Sequence, residues 1–281
     1  MINKVIASIT IWSVLIFPMT GCKEDGSRIR SDDVPTSSIY AAIEVVSDVG
    51  GALFVSAQLR RGGAMSDVFI DISGDDRLIA SVGKRYAELN MSNDLFTALT
   101  HLKDEHREME QVSQYRVSGY LPDYLQLPST WYKAEFPNVE IVQRIYVSLY
   151  RKDQTDSDGS YVQLPEKYNI TRPISGNDAL YSRSTDDIVV EWTALTNESS
   201  RVVVDVLAEC ENGKTGSWRV NLSTDVGEVT IPSDAISNIT GLCSYLIRVK
   251  KIKLGNFDPR FGGGGIIQGA QIRSVSVNTT D

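Results

Sequence analysis

Histidine and cysteine are scarce in this 281-residue chain, with two of the first and three of the second. His101 and His106 both fall in THLKDEHREME and do not make an HExxH pair. No Cys/His set with zinc spacing can be assembled either, so the sequence predicts no metal site. A GxSxG nucleophile elbow is missing. The glycine run FGGGGIIQG, from Phe261, lacks the GxGxxG spacing and leads into a strand-like pattern, so it predicts a flexible loop entering the last strand and no cofactor. Positive charge is also in deficit. Lys and Arg number 28 against 36 Asp and Glu, a formal net charge of −8. An acidic chain is a poor candidate for binding nucleic acid. These absences point away from an enzyme. They leave open a carboxylate-dependent hydrolase such as a glycosidase, which needs only two acids, although nothing in the sequence marks a pair.

What is present begins at the N-terminus. Lys4 is followed by VIASITIWSVLIF, Val5 to Phe17, an almost wholly apolar run. As a helix it would reach about 20 Å, short of the roughly 30 Å of a bilayer core, and this length suits a signal-peptide core. It ends at Met19-Thr20-Gly21-Cys22 and turns charged at once. This resembles the lipobox of bacterial lipoproteins: an aliphatic residue, two small ones, then Cys. Met19 departs from the usual Leu, and Pro18 is an unusual neighbour. The resemblance implies that residues 1–21 are removed and that Cys22 becomes the first residue, bearing a thioether-linked diacylglycerol and an acylated amine, with palmitate as a natural label. Several acyl chains hold a protein to a membrane stably. Lys23 stands where an Asp would retain a lipoprotein at the inner membrane, so the resemblance implies the outer membrane of a cell envelope.

With Cys22 given to lipid, Cys210 and Cys243 remain. An even pair in an oxidising compartment reads as a disulfide, with two buried thiols as the alternative. In RVVVDVLAEC, Val202, Val204, Val206, Ala208 and Cys210 share a face, and in CSYLIRVKK so do Cys243, Tyr245, Ile247 and Val249. The bridge would close a loop of about 34 residues, giving roughly 3.5–4 kcal/mol on the chain-entropy account.

After the leader, residues 22–37 are polar and aperiodic and predict a lipidated, flexible tether. Strand signals then recur every eight to twelve residues: IYAAIEVVSDV, ALFVSAQLR after a Gly-Gly turn, SDVFIDISG and RLIASVG. Further on, VEIVQRIYVSLYRKD and SYVQLP flank Asp158-Gly159, which reads as a tight acidic hairpin turn. Placing Gly159 at the glycine of a calcium loop would put Asp156 and Asp158 at ligand positions, but Pro165 then stands where the bidentate Glu belongs. Between these, residues 92–113 are ambiguous. Leu95, Leu99, Leu102, His106 and Met109 have helical spacing, while Phe96, Ala98, Thr100 and Leu102 alternate, and a helix inserted in the first domain is the favoured reading.

The fold class expected is mainly β, with two antiparallel sandwich-type domains: an N-terminal one over 38–165 and a C-terminal one over 166–281. Short strands, one bridge and Trp192 make the second resemble an immunoglobulin-like or fibronectin-like sandwich, although Trp192 precedes both cysteines. Tyr115, Tyr120, Tyr124, Trp131, Tyr132 and Phe136 crowd a stretch broken by Pro122, Pro128 and Pro137. Prolines favour loops and loops favour surfaces, so Tyr124, Trp131 and Tyr132 are the candidate residues for a protein or glycan partner. The function expected is a lipid-anchored envelope binding or assembly module. A structural accessory subunit of an envelope complex is the first alternative and the hydrolase the second.

Overall fold

The computed structural model describes residues 27–47, 52–85, 106–113, 130–137, 144–174, 180–193 and 200–281. Apart from two 3-10 turns, Ser31–Asp33 and Thr36–Ser38, the regular structure there is all strand. In the N-terminal half these are β1 (Arg28–Arg30), β2 (Ile39–Ser47), β3 (Leu53–Arg61), β4 (Phe69–Asp71), β5 (Arg77–Val82), β6 (His106–Glu108), β7 (Glu110–Ser113), β8 (Thr130–Phe136), β9 (Arg144–Tyr150) and β10 (Ser157–Gln163). They continue with β11 (Ile170–Arg172), β12 (Leu180–Ser182), β13 (Ile188–Trp192), β14 (Arg201–Cys210), β15 (Thr215–Leu222), β16 (Glu228–Ile231), β17 (Cys243–Leu254) and β18 (Gly265–Thr280).

Eleven strands form one sheet, in the order β1-β4-β3-β2-β18-β17-β14-β15, with β8 and β7 joining beside β3 and β12 beside β18. Two smaller sheets, β10-β9-β5-β6 and β11-β13-β16, cover its inner face. Period-2 alternation sets both cores. Ile43 and Val45 of β2 and Val55, Ala57 and Leu59 of β3 meet Leu78, Ala80, Val147 and Leu149 of the first small sheet. Val202, Val204 and Val206 of β14 and Ile247 and Val249 of β17 meet Ile188, Val190, Trp192 and Ile231 of the second. The second unit sets β11-β13-β16 against β15-β14-β17-β18, with β12 beside β18, and is an immunoglobulin-like β-sandwich.

The last strand joins the two units. Gly265–Gln271 of β18 pair in parallel with β2, while Gln268–Thr279 pair antiparallel with β17. Ile267 therefore lies in the first core and Val275 and Val277 in the second. β2 is buried along its whole length, as expected of a strand with a parallel neighbour and both faces covered.

Four expectations are corrected. The end of the ambiguous stretch is not helix: residues 106–108 and 110–113 are β6 and β7. Cross-strand pairing decides this, since β6 pairs with β5 and β7 with β8, and Met109 is buried where the chain passes from the small sheet to the large one. The remainder of 92–113 lies outside the described residues.

The polar segment read as tether is packed from Arg28 onward. Its β1 pairs with β4, and Ser31, Val34 and Thr36 are buried. Asp158-Gly159 is not the hairpin turn but sits in β10 at an irregularity in its pairing with β9. The glycine run is a packed turn instead of a flexible loop. A Cβ on Gly262 would fall 2.2 Å from the Ser37 carbonyl oxygen, and one on Gly265 would fall 2.1 Å from the Phe257 ring. Only glycine allows so close a backbone approach.

Candidate functional site

Trp131 and Tyr132 are not an exposed platform. Both lie on β8, which is paired on one side with β3 and on the other with β7, and they are 1 % and 2 % exposed. Trp131 packs with Tyr40 and Ala42 on one face of the sheet. Tyr132 enters the first core on the other. The Tyr132 hydroxyl accepts the Ile72 N–H at 2.7 Å and donates to the Ile70 carbonyl at 3.1 Å. Burial pushes its phenol up to about 12. For Trp131, Tyr132 and Phe136 the aromatic signal marked core, because strand pairing runs through Thr130–Phe136 after Pro128. Tyr124 and Cys22 lie outside the described residues.

The acidic residues near Gly159 are arranged around a cation of the chain's own. Arg260 forms ion pairs with both Asp158 and Asp258, the second at 2.9 Å. Burial alone would raise the Asp258 carboxyl, but hydrogen bonds from Arg260 and from the Gly159 N–H outweigh it and hold the group below its ordinary value. Asp156 accepts the Arg151 N–H at 2.6 Å. Among the described residues no three His, Cys, Asp or Glu side chains are grouped to hold a metal ion.

Cys210 and Cys243 form a disulfide between directly opposed positions of β14 and β17. On the opposite face of the same two strands, Leu207 and Leu246 are cross-strand partners and stay 42 % and 37 % exposed. With Glu209, Thr215, Ser217 and Ser244 they line an open groove of about 590 Å³. Beside it, Asp205 is ion-paired with Arg219, next to Arg248. No described strand lies beyond β15, so the groove borders the edge of the large sheet. An apolar floor beside a strand edge suits recognition of an extended or flat partner, the edge supplying backbone hydrogen bonds and the floor supplying selectivity. Leu207 and Leu246 were legible as breaks in the apolar–polar alternation of β14 and β17, although nothing marked them as neighbours.

At the other edge, Arg151 gathers the N-terminal segment. It donates to Asp76 at 2.7 Å, to the Ser31 and Val34 carbonyls at 2.5 and 2.9 Å, and to the Thr36 hydroxyl at 3.1 Å. No local sequence signal pointed to Arg151, whose partners lie 75 to 120 positions away.

No protein-family model matches the chain, and no curated protein matches it. Among solved structures, the FN1–FN3 domains of chicken CNTN1 align at 12 % identity over 85 % of this chain and 66 % of theirs, with a TM-score of 0.25. Trypsin-activated alpha-2-macroglobulin from Escherichia coli aligns at 12 % over 86 % of this chain and 16 % of its own, with a TM-score of 0.22. CBD12 from CALX1.2 aligns at 9 % over 86 % and 99 %, with a TM-score of 0.20. The sandwich assignment therefore rests on this chain's own strand order and core.

Proposed function

We propose that the protein is a lipid-anchored cell-envelope module, held through Cys22 at the outer membrane, that binds a protein or glycan partner and catalyses no reaction. The anchor is supported by the Met19-Thr20-Gly21-Cys22 signature after a thirteen-residue apolar run. The binding role is carried by one observation: the groove of Leu207 and Leu246 lies open beside the β15 edge. Single exposed leucines are ordinary on a protein surface, and the support here is that two of them are cross-strand partners in one groove.

Two measurements test this reading in cells. Radiolabelled palmitate should enter the wild-type chain and not Cys22→Ser. A photo-crosslinking side chain at Leu246 should give a discrete adduct of higher mass, and Leu207→Asp should abolish it without altering the circular dichroism of the fold. A Cys22→Ser chain that still takes up palmitate and fractionates with membranes would refute the anchor. A Leu246 site that never crosslinks would refute the binding surface.

A further inference from the structure

We infer that the β1–β4 edge of the large sheet is the surface that faces a phospholipid head-group layer, and that the β15 edge points away from it. This rests on the proposed lipid at Cys22, and it adds an orientation to that reading. The argument starts from chain length. Arg28 stands six residues beyond Cys22 and is already in register with Phe69 of β4, whose neighbouring contact is the Phe69 N–H on the Ser27 carbonyl at 2.8 Å. A fully extended chain advances at most about 3.3–3.6 Å per residue, so Arg28 lies within about 20 Å of the lipid-bearing sulfur.

That end cannot pay out further chain without breaking buried contacts. Arg151 holds the Ser31 and Val34 carbonyls and the Thr36 hydroxyl. Ser31 also donates to Asp76 at 2.7 Å and accepts the Ser73 N–H at 3.0 Å. Gly263 closes the far side with a hydrogen bond to the Ile39 carbonyl at 3.1 Å.

The charge of this edge suits a head-group layer. Three of its exposed cations face carboxylates: Arg28 with Asp71 at 3.9 Å, Arg30 with Asp32 at 2.7 Å, and Lys152 with Asp75 at 2.6 Å. These three pairs are zwitterionic, like phosphatidylethanolamine, in a chain whose net charge of −8 disfavours anionic lipid. From β1 to β15 the sheet order counts seven steps, which at ~4.8 Å each separate the two edges by at most about 34 Å along the twisted sheet. The Leu207–Leu246 groove is then presented to the aqueous side, where the bilayer does not compete for it.

The test uses the purified lipidated full chain in vesicles of phosphatidylethanolamine and phosphatidylglycerol with a quencher on the head groups. One added cysteine carries a fluorophore, at Lys152→Cys beside β1 or at Asn221→Cys on β15, both exposed positions. The label at residue 152 should be quenched several-fold more than the label at residue 221. A Gly/Ser insert of about twenty residues before Ser27, with an r.m.s. span of about 25 Å, should shrink that difference. Equal quenching at the two sites, or stronger quenching at residue 221, in protein whose mass includes the lipid would overturn the orientation and leave the anchor standing. A chain whose mass shows no lipid would remove the anchor and the orientation with it.

Discussion

Arg151 donates from Nε to Asp76 Oδ2 at 2.7 Å, with the two side chains 0 % and 4 % exposed. The pair is sealed and nearly saturated. Asp76 also takes the Ser31 hydroxyl and the Lys152 N–H, and the guanidinium spends its other bonds on Ser31, Val34 and Thr36. Arg151→Met would leave a carboxylate in a buried site without its cation, and a loss of about 3–5 kcal/mol is expected in urea denaturation. Arg151→Lys should rescue little, because an ammonium cannot reproduce the planar fork. Trypsin cleavage after Arg28 and Arg30 should accelerate in Arg151→Met as the segment loses its holder. Wild-type stability and proteolysis in Arg151→Met would refute the clamp.

Trp131 and Tyr132 are core residues, so their truncation should register as lost stability. Trp131→Ala is expected to cost about 3–5 kcal/mol through the cavity it leaves. Tyr132→Phe removes the acceptor of the Ile72 N–H and should cost about 1–3 kcal/mol. The Tyr132 phenol, raised to about 12 chiefly by burial, keeps its proton in the folded chain after an unfolded chain releases one near 10. Its contribution is therefore full below about pH 10 and is lost as pH rises toward 12. An ultraviolet titration in which every tyrosine ionises near pH 10 in folded protein would contradict this.

Much of the fold was legible because apolar alternation and strand identity coincide where burial dominates. β3, β14 and β17 are long and period-2 and β2 is a long apolar run, and the shared face of Cys210 with Val202, Val204, Val206 and Ala208 placed the bridge on the core side. The failures share a cause, which is that the deciding contacts are distant and polar. Residues 28–38 look like linker because they are held by Arg151 and by carbonyls, not by an apolar stripe. The helical spacing of His106 and Met109 gave way to pairing with β5 and β8. Trp131 and Tyr132 sat in a segment rich in prolines, and only the packing of Trp131 on Tyr40 and Ala42 and of Tyr132 in the first core shows that both faces of β8 are covered.

Glu44 and Lys250 join the two halves across β18. Lys250 Nζ donates to Glu44 Oε1 at 2.9 Å, and Gln268 donates to the same oxygen at 3.1 Å. Both charged side chains are buried. Burial pulls Lys250 down to about 8, with Glu44 working against the shift. Between pH 8 and the unfolded value near 10.4 the unfolded chain holds more protons, so this group makes stability rise with pH across that window and leaves it flat below. Lys250→Met alone should cost about 3–5 kcal/mol, whereas Glu44→Met combined with Lys250→Met should be near neutral or gain about 1–4 kcal/mol. Additive losses in the double variant would show that the pair itself is not what matters.

The disulfide can be separated from the sheet that carries it. Cys210 and Cys243 stand 33 residues apart and are 4 % and 1 % exposed. Intact-mass measurement after alkylation without reductant should find neither cysteine modified, even in denaturant, and full alkylation of both would refute the bridge. Replacing both with Ser should lower stability by roughly 3.5–4 kcal/mol if the bridge acts mainly on the unfolded chain. The folded sandwich should survive that loss, because β14 and β17 remain paired along ten residue pairs from Arg201–Ile252 to Cys210–Cys243. The groove provides a second reading of the same variant. Leu207 and Leu246 lie three register steps from the bridge on the opposite face. If β14 and β17 keep their register without it, a crosslinker at Leu246 should still give its adduct below the new unfolding midpoint. Loss of the adduct in a chain that remains folded by circular dichroism would mean that the bridge fixes the groove's shape as well as the sandwich's stability.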